Sequence, residues 1–383
     1  MRVYLDNAAT TMTDPKVVKA MLPFFSEKYG NASSLHHFGR EAKKAMERAR
    51  SVIAKKINAD PSEIIFTSGG TESDNLAIRG VAHANRHIGN HIIISKIEHP
   101  AVLKTCDSLR EEGFDVTMLD VDSEGFIDLK ALEKAITKKT VLVSIMHANN
   151  EIGTIHSIED IGKICKKRRV LFHTDAVQSF TKVPIDVKKM NTDLVSISSH
   201  KIHGPKGVGA LFVRKGVKIK PEATGGSHES NLRAGTENVP GIVGFAKAVE
   251  LTKDSDIRKM KRLRDRLISG LLKIKSSKLN GPRGDKRLCN NVNIGFRGVE
   301  GESLMMYLDT KGIAVSTGSA CANLLIKEGG VSHVLQAVNS DLEYATSAIR
   351  LTLSRFTTER EIDYTIKSVR EVVKHLRTIS GTE

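Results

Sequence analysis

From about residue 46 to residue 215 the chain alternates short apolar, β-branched runs with stretches of helical spacing, and this alternation restricts its fold more than any other feature. Ile64–Thr67, Ile92–Ser95, Val116–Leu119, Val141–Ile145, Val170–His173, Leu194–Ser198 and Gly209–Val213 read as strands. Several are apolar on both faces, the signature of a mainly parallel sheet covered by helices. The segments between them, such as Lys130–Thr137 and Ile158–Lys167, carry good helix formers at helical spacing. The expected class is α/β, a doubly wound domain with a seven-stranded sheet.

At 383 residues the chain exceeds what one hydrophobic core usually serves, so a second domain is expected. Near residue 253 the pattern changes. Ile257, Met260, Leu263, Leu267 and Leu271 share one face of a long basic helix. Fewer strands follow, at Asn291–Phe296 and Ile313–Ser316, with helices on both sides of Arg350. This reads as a smaller α+β domain from about residue 258.

Lys and Arg total 59 against 44 Asp and Glu, a net +15. Such a surplus suits nucleic acid, an acidic protein partner, a phosphorylated ligand or plain solubility. The runs Lys166–Arg169 and Arg258–Arg266 raise the nucleic-acid reading. It is disfavoured because no recognition motif is present and aromatic residues are only 4%, leaving few stacking platforms. Four cysteines spread along the chain, with no C-x-x-C pair, argue for reduced thiols and against a structural zinc site. No run approaches the roughly 20 apolar residues of a membrane span. An acid at Asp6 interrupts any signal-like start, so a cytoplasmic protein is expected.

Three motifs carry chemistry. Ile64–Thr67 runs into Ser68-Gly69-Gly70-Thr71-Glu72, a strand, a glycine turn and a helix start. Free N–H groups there can receive a phosphate, although Thr71 as a plain helix cap would explain the same letters. The turn is neither a P-loop nor a dinucleotide fingerprint. Asp175 follows at the carboxyl end of the strand Val170–His173, where open α/β sheets bind ligands. A buried carboxylate there needs a cation, and a protonated heterocycle nitrogen serves as well as a lysine or a helix cap. Lys201 follows Leu194–Ser198 and precedes a Gly-Pro turn. A partly desolvated lysine is a competent amine nucleophile, although most lysines are solvated. Together, a phosphate cradle, an acid and an amine are what pyridoxal phosphate requires.

With these stand Tyr4–Thr11, Tyr29–His36, Ile97–Val102, His147–Gly153, Arg233–Asn238, Ser316–Cys321 and Ile349–Thr357. In that order the chain resembles, over nearly its whole length, cysteine desulfurases of the iron–sulfur-cluster-assembly type. These belong to the fold-type I pyridoxal-phosphate transferases. The resemblance implies a large cofactor domain over residues 14–257 and a small domain made of 1–13 and 258–383.

It further implies that Lys201 anchors the cofactor covalently and moves the Cα proton, and that Asp175 keeps the ring nitrogen protonated. His99 would stack on the ring and act as an acid–base group. Asn150 and Gln178 would hold the ring oxygen, with Asn149 an alternative to Asn150. Gly70, Thr71, Ser198 and His200 would grip the phosphate, joined by Thr236 from the other subunit of a homodimer. Arg350 and Asn150 would bind the substrate, with Arg350 clamping its carboxylate. Arg355 fits that role by spacing too, but motif position favours Arg350.

Cys321, in a loop of small residues, would attack the sulfur of L-cysteine, release L-alanine and keep a persulfide. The other cysteines, Cys106, Cys165 and Cys289, read as inert. The sulfur would pass to an iron–sulfur cluster scaffold protein, with tRNA thiolation as a further acceptor. No intrinsic metal site is implied, although Cys321 would be placed to touch a cluster on the scaffold. After Cys321 the run Ala322–Leu335 is less serine-rich than the family pattern, which leaves the acceptor open. The rival readings are a selenocysteine lyase, or another small-amino-acid enzyme on the same fold.

Overall fold

The computed structural model describes residues 1–317 and 331–382. The chain opens with a two-residue strand, β1 (Val3–Tyr4), and then lays down the seven strands of one sheet. These are β2 (Ile64–Thr67), β3 (His91–Ser95), β4 (Asp115–Leu119), β5 (Thr140–Ser144), β6 (Leu171–Asp175), β7 (Leu194–Ser198) and β8 (Gly209–Val213). β9 (Ser277–Leu279), β10 (Asn291–Phe296), β11 (Ile313–Ala314) and β12 (Ile349–Thr352) follow.

The large sheet has the order β2-β8-β7-β6-β5-β3-β4. β8 runs antiparallel to both neighbours, and the other pairs are parallel. β2 is therefore parallel to β7, and every strand except β8 ends at the same edge. The protein is α/β with a mainly parallel sheet, as the uninterrupted apolar runs require.

Side chains alternate faces along each strand, so one strand feeds two cores. Ile64, Phe66, Ile197 and Phe212 join the helices His37–Lys56 and Val239–Glu250 on one face. Ile65, Leu142, Leu194 and Leu211 meet the helices Gly70–Ala84 and Pro100–Glu111 on the other. A separate core gathers Val3 and Leu5 with β10, β12 and the helices Asp254–Leu271 and Glu359–Ser380. Met260, Leu263, Leu267 and Leu271 are all buried along the basic helix, on the face their spacing predicts. Its exposed face pairs with acids of its neighbours, including Arg266 with Asp363 and Arg262 with Glu359. This is how a solvated basic face behaves.

Among the described residues no strand lies on the outer side of β2. Arg50 donates to the Ile64 carbonyl at 2.6 Å and forms a two-pronged pair with Glu229 at 2.7 and 2.8 Å. Glu229 in turn accepts the Phe66 N–H at 2.7 Å. Glu229, Ser230 and Asn231 have φ of 42°, 57° and 65°, three consecutive left-handed residues without a glycine. Each costs on the order of 1 kcal/mol and persists only where the surroundings over-determine it. The buried Arg50–Glu229 pair does so here.

Candidate active site

The common edge of the parallel strands gathers the chemistry. β2 passes through Ser68 and Gly69 into the helix Gly70–Ala84, with Gly69 at the cap position and Thr71 in the first turn. Thr71 is therefore not the cap, so the ordinary-cap explanation of this motif fails. A Cβ on Gly70 would lie 2.6 Å from Val177 Cγ2, so glycine is needed for this turn to sit against the one after Asp175. The Ser198 hydroxyl, at the end of β7, is fully buried and has no hydrogen-bond partner. A buried hydroxyl left unpaired costs free energy, and a phosphate oxygen beside a helix N-terminus would repay it.

Asp175 ends β6. It is buried, its Oδ1 accepts the Val177 N–H at 2.8 Å, and burial raises its pKa against the pull of that hydrogen bond and of Lys201. Lys201 lies just past β7, and its Nζ donates to the carbonyls of Ala8 and Ala9 at 2.6 and 2.7 Å. Gln178 Nε2 donates to the same Ala8 carbonyl at 3.0 Å. His200 Nδ1 lies 3.1 Å from Thr10 Oγ1, and burial with Lys201 nearby pushes its imidazole down to about 4.

His99 caps the helix Pro100–Glu111, with Nδ1 accepting the Ala101 N–H at 3.1 Å. Burial, with Lys201 and His333 close by, pushes it down to about 4. The ring is thus neutral near pH 7, and because Nδ1 accepts, its proton sits on Nε2. The preceding Glu98 is fully buried and pushed up to about 8 by burial. It accepts from Ser95 Oγ at 2.6 Å and the Met146 N–H at 3.0 Å, tying the end of β3 to the loop after β5.

The structure places the members of two pairs that spacing leaves open in different surroundings. Asn149 is fully buried, and its side chain is spent on the loop: it donates to the Ile97 carbonyl and accepts the N–H groups of Glu151 and Ile152. Asn150 is partly exposed, and its carbonyl accepts from Arg350 Nη1 at 3.3 Å. Arg355 pairs with Asp14, which caps the helix Pro15–Met21. Arg350, on β12 and 3% exposed, reaches the site, with Nη2 3.0 Å from Asp6 Oδ1.

One wall of the site comes from backbone that carries no side-chain signature. Residues 5–14 run between the sheet edge and β12. Asn7 donates to the Thr352 carbonyl at 2.7 Å, the Ala8 N–H donates to Thr352 Oγ1 at 2.8 Å, and Thr11 Oγ1 donates to the His200 carbonyl at 2.8 Å. The run Tyr4–Thr11 marks this segment, but its working atoms are carbonyls that letters do not reveal.

Gly70, His99, Asn150, Asp175, Gln178, Ser198, His200, Lys201 and Arg350 lie around this one region, and Thr71 follows Gly70 in the first turn of its helix. Thr236 does not join them within the chain. It is exposed, three residues past Arg233, which pairs with Glu72 at 2.9 Å on the first turn of the cradle helix. Cys321 lies outside the described residues. Cys106, Cys165 and Cys289 are buried, with thiols pushed up to about 12, 12 and 11, which suits inert cysteines.

The family model of the class-V aminotransferases matches residues 3–365. The chain belongs to the class-V aminotransferase family. A protein named cysteine desulfurase IscS from Dictyoglomus turgidum is 53% identical over 382 residues, covering 99% of this chain and 96% of that protein. Another of that name, from Methanosarcina thermophila, is 51% identical over 381 residues, covering 99% and 93%. A solved NifS-like protein superposes with a TM-score of 0.91 at 42% identity, covering 98% of this chain and all of that one. A structure described as SspA in complex with cysteine gives 0.83 at 37% identity, covering 93% and 100%. Class-V enzymes use pyridoxal 5′-phosphate, and this chain is a pyridoxal-phosphate enzyme of fold-type I. The unpaired Ser198 hydroxyl, the glycine cradle, the buried Asp175 and the inward Lys201 all fit that cofactor.

Proposed function

We propose that this chain is a cysteine desulfurase, converting L-cysteine to L-alanine and leaving the sulfur as a persulfide on Cys321. The convergence of Lys201, Asp175 and the Gly70 cradle at one sheet edge supports it, and full-length relatives named for that activity give the substrate. When bound, the cofactor supplies an electron sink for the carbon that loses its proton. The chain's residues do the rest. Gly70, Thr71, Ser198 and His200 hold the phosphate, joined by Thr236 of a second copy. Asp175 keeps a proton on the ring nitrogen, Asn150 and Gln178 bond the ring oxygen, and the neutral His99 covers the ring face.

Arg350 fixes the substrate carboxylate with two parallel N–H donors. Lys201 anchors the cofactor, then takes the Cα proton and returns it. The Cys321 thiolate attacks the substrate's sulfur. The S–S bond forms as the Cβ–S bond breaks, the electron pair stays with the carbon fragment, and protonation releases L-alanine.

The active unit is a homodimer of chains divided into a large domain over 14–257 and a small domain of 1–13 and 258–383. Large apolar side chains cluster on one stretch near the N-terminus, with Leu22, Phe25, Tyr29 and Leu35 exposed by 58%, 63%, 64% and 89%. Such a cluster suits burial against a second copy. The persulfide sulfur goes to an iron–sulfur cluster scaffold, and also to tRNA thiolation, with the positive surplus suiting an acidic acceptor. The site of action is the cytoplasm. No helix among the described residues is long and apolar enough to cross a membrane.

Visible absorbance and product analysis test this reading. Lys201→Ala should lose the visible band of the bound cofactor and at least about 10³-fold in turnover. Cys321→Ala should keep the band and release no sulfide. Alanine formation at the normal rate by Cys321→Ala would overturn the sulfur-transfer assignment, and L-selenocysteine offered beside L-cysteine separates a selenocysteine lyase.

A further inference from the structure

Behind Asp175 lies a buried polar layer that the proposed chemistry does not use. His173 precedes Asp175 by two residues on β6, so both project to the same face of the sheet. Ser144 on β5 pairs in register with His173, and Ser196 on β7 pairs with Asp175. The His173 ring spans the two hydroxyls, with Nδ1 2.8 Å from Ser144 Oγ and Nε2 2.9 Å from Ser196 Oγ. Onto this layer the helix Gly70–Ala84 lowers Asp74, which is 1% exposed. Among the described residues its Oδ1 has no hydrogen-bond partner and lies 3.7 Å from His173 Nε2, beyond hydrogen-bond reach, although the carboxyl as a whole also meets the Ser196 hydroxyl.

Counting charge decides what this carboxyl must be. Around Asp74, β6 presents His173 and Asp175, and the loop before the helix Pro100–Glu111 presents Glu98. That helix presents the thiol of Cys106, while β2, β5, β7 and β8 contain no ionisable residue. Lys201 is the cation at this layer, and it acts on Asp175. His173 does not supply a second. Both its nitrogens are engaged by serines, and burial pushes it down to about 3. Two ionised carboxylates in one dry layer with one lysine would repel each other and forgo hydration.

We propose that Asp74 is a positioning residue whose carboxyl carries a proton beneath Asp175, so that the layer's single negative charge rests on Asp175. Burial, and then the Asp175 charge, raise its pKa well above the ordinary value by more than a hydrogen bond to Ser196 lowers it, in keeping with the geometry. A neutral Asp74 leaves Asp175 free of a repelling neighbour. This deepens the reading of Asp175 as partner of the ring nitrogen and rests on it.

The test uses holoenzyme labelled with ¹³C at aspartate carboxyls, which sets Asp74 apart from the glutamates. Infrared spectra near pH 7 should contain an H/D-sensitive protonated-carboxyl band that Asp74→Asn removes. A group whose folded-state proton affinity is raised contributes stability at low pH and loses it as pH rises. The melting temperature of Asp74→Asn should therefore gain on the wild type by about 2 °C per pH unit from pH 5 to pH 8. Asp74→Ser gives the same two readouts should the amide variant fail to fold. A band unchanged by substitution, or a melting difference constant with pH or of opposite slope, overturns the proposal. Asp175→Asn is the separate arm. If it leaves the pH titration of the visible band unmoved, the ring-nitrogen reading fails, while the Asp74 band still reports on Asp74.

Discussion

The floor and the wall of the site are built in different ways. The floor comes from the ends of β2, β5, β6 and β7, each reached through a short loop from a buried strand. The wall joins residues 5–14 to β12, more than 300 positions away, through the bonds of Asn7 and Ala8 to Thr352. The floor keeps a buried hydroxyl, Ser198, with no partner, so it can receive an anion without giving anything up. The wall's groups already have partners: Arg350 has Asp6, and the Ala8 carbonyl accepts from Lys201 and Gln178 of the floor. Binding at the floor adds contacts, whereas binding at the wall exchanges them.

The sharpest way to break this contrast is at Arg350. Arg350→Ala should raise KM for L-cysteine by roughly 30- to 100-fold, the worth of a paired charge-assisted contact, and leave the cofactor's visible band in place. Arg355→Ala, which unpairs Asp14, should lower the melting temperature and leave KM near normal. A KM effect at Arg355 equal to that at Arg350 would merge the two. Ser198→Ala should act on the other side of the contrast, weakening cofactor retention by about 10-fold in dialysis against buffer while KM stays put.

Thr352→Val removes the hydroxyl that receives the Ala8 N–H, at about 1 kcal/mol, and should lower the melting temperature by about 1 to 2 °C. A further effect comes with acid and is centred on the floor. His147, His156 and His173 are fully buried and pushed down to about 3, 4 and 3. A depressed histidine contributes stability above its ordinary value near 6.5 and loses it as pH falls toward 4. Thermal melts across that window should show the loss, and His147→Gln should make the slope shallower.

The floor was legible in the sequence and much of the wall was not, for a physical reason. A strand buried on both faces writes a continuous apolar run, and the residue just past it is then placed at the sheet edge, so Gly70, Asp175 and Lys201 could be found from letters. Asn149 and Asn150 could not be separated, because one step along a loop decides whether an amide points into the protein. Arg350 and Arg355 stood apart only once Asp6 and Asp14 were seen beside them. The carbonyls of Ala8 and Ala9 left no trace, since every residue has one. Asp74 reads in sequence as a polar residue near a helix start, and only the packing of that helix on β6 shows it buried.

Arg50 and Glu229 do for β2 what another strand would do, filling the outward Ile64 carbonyl and Phe66 N–H. A bare strand edge is a template on which a second chain can assemble. This ion pair therefore closes the border of the sheet to strand addition. An Arg50→Ala protein would be expected to form β-rich aggregates on warming before the rest of the sheet has melted.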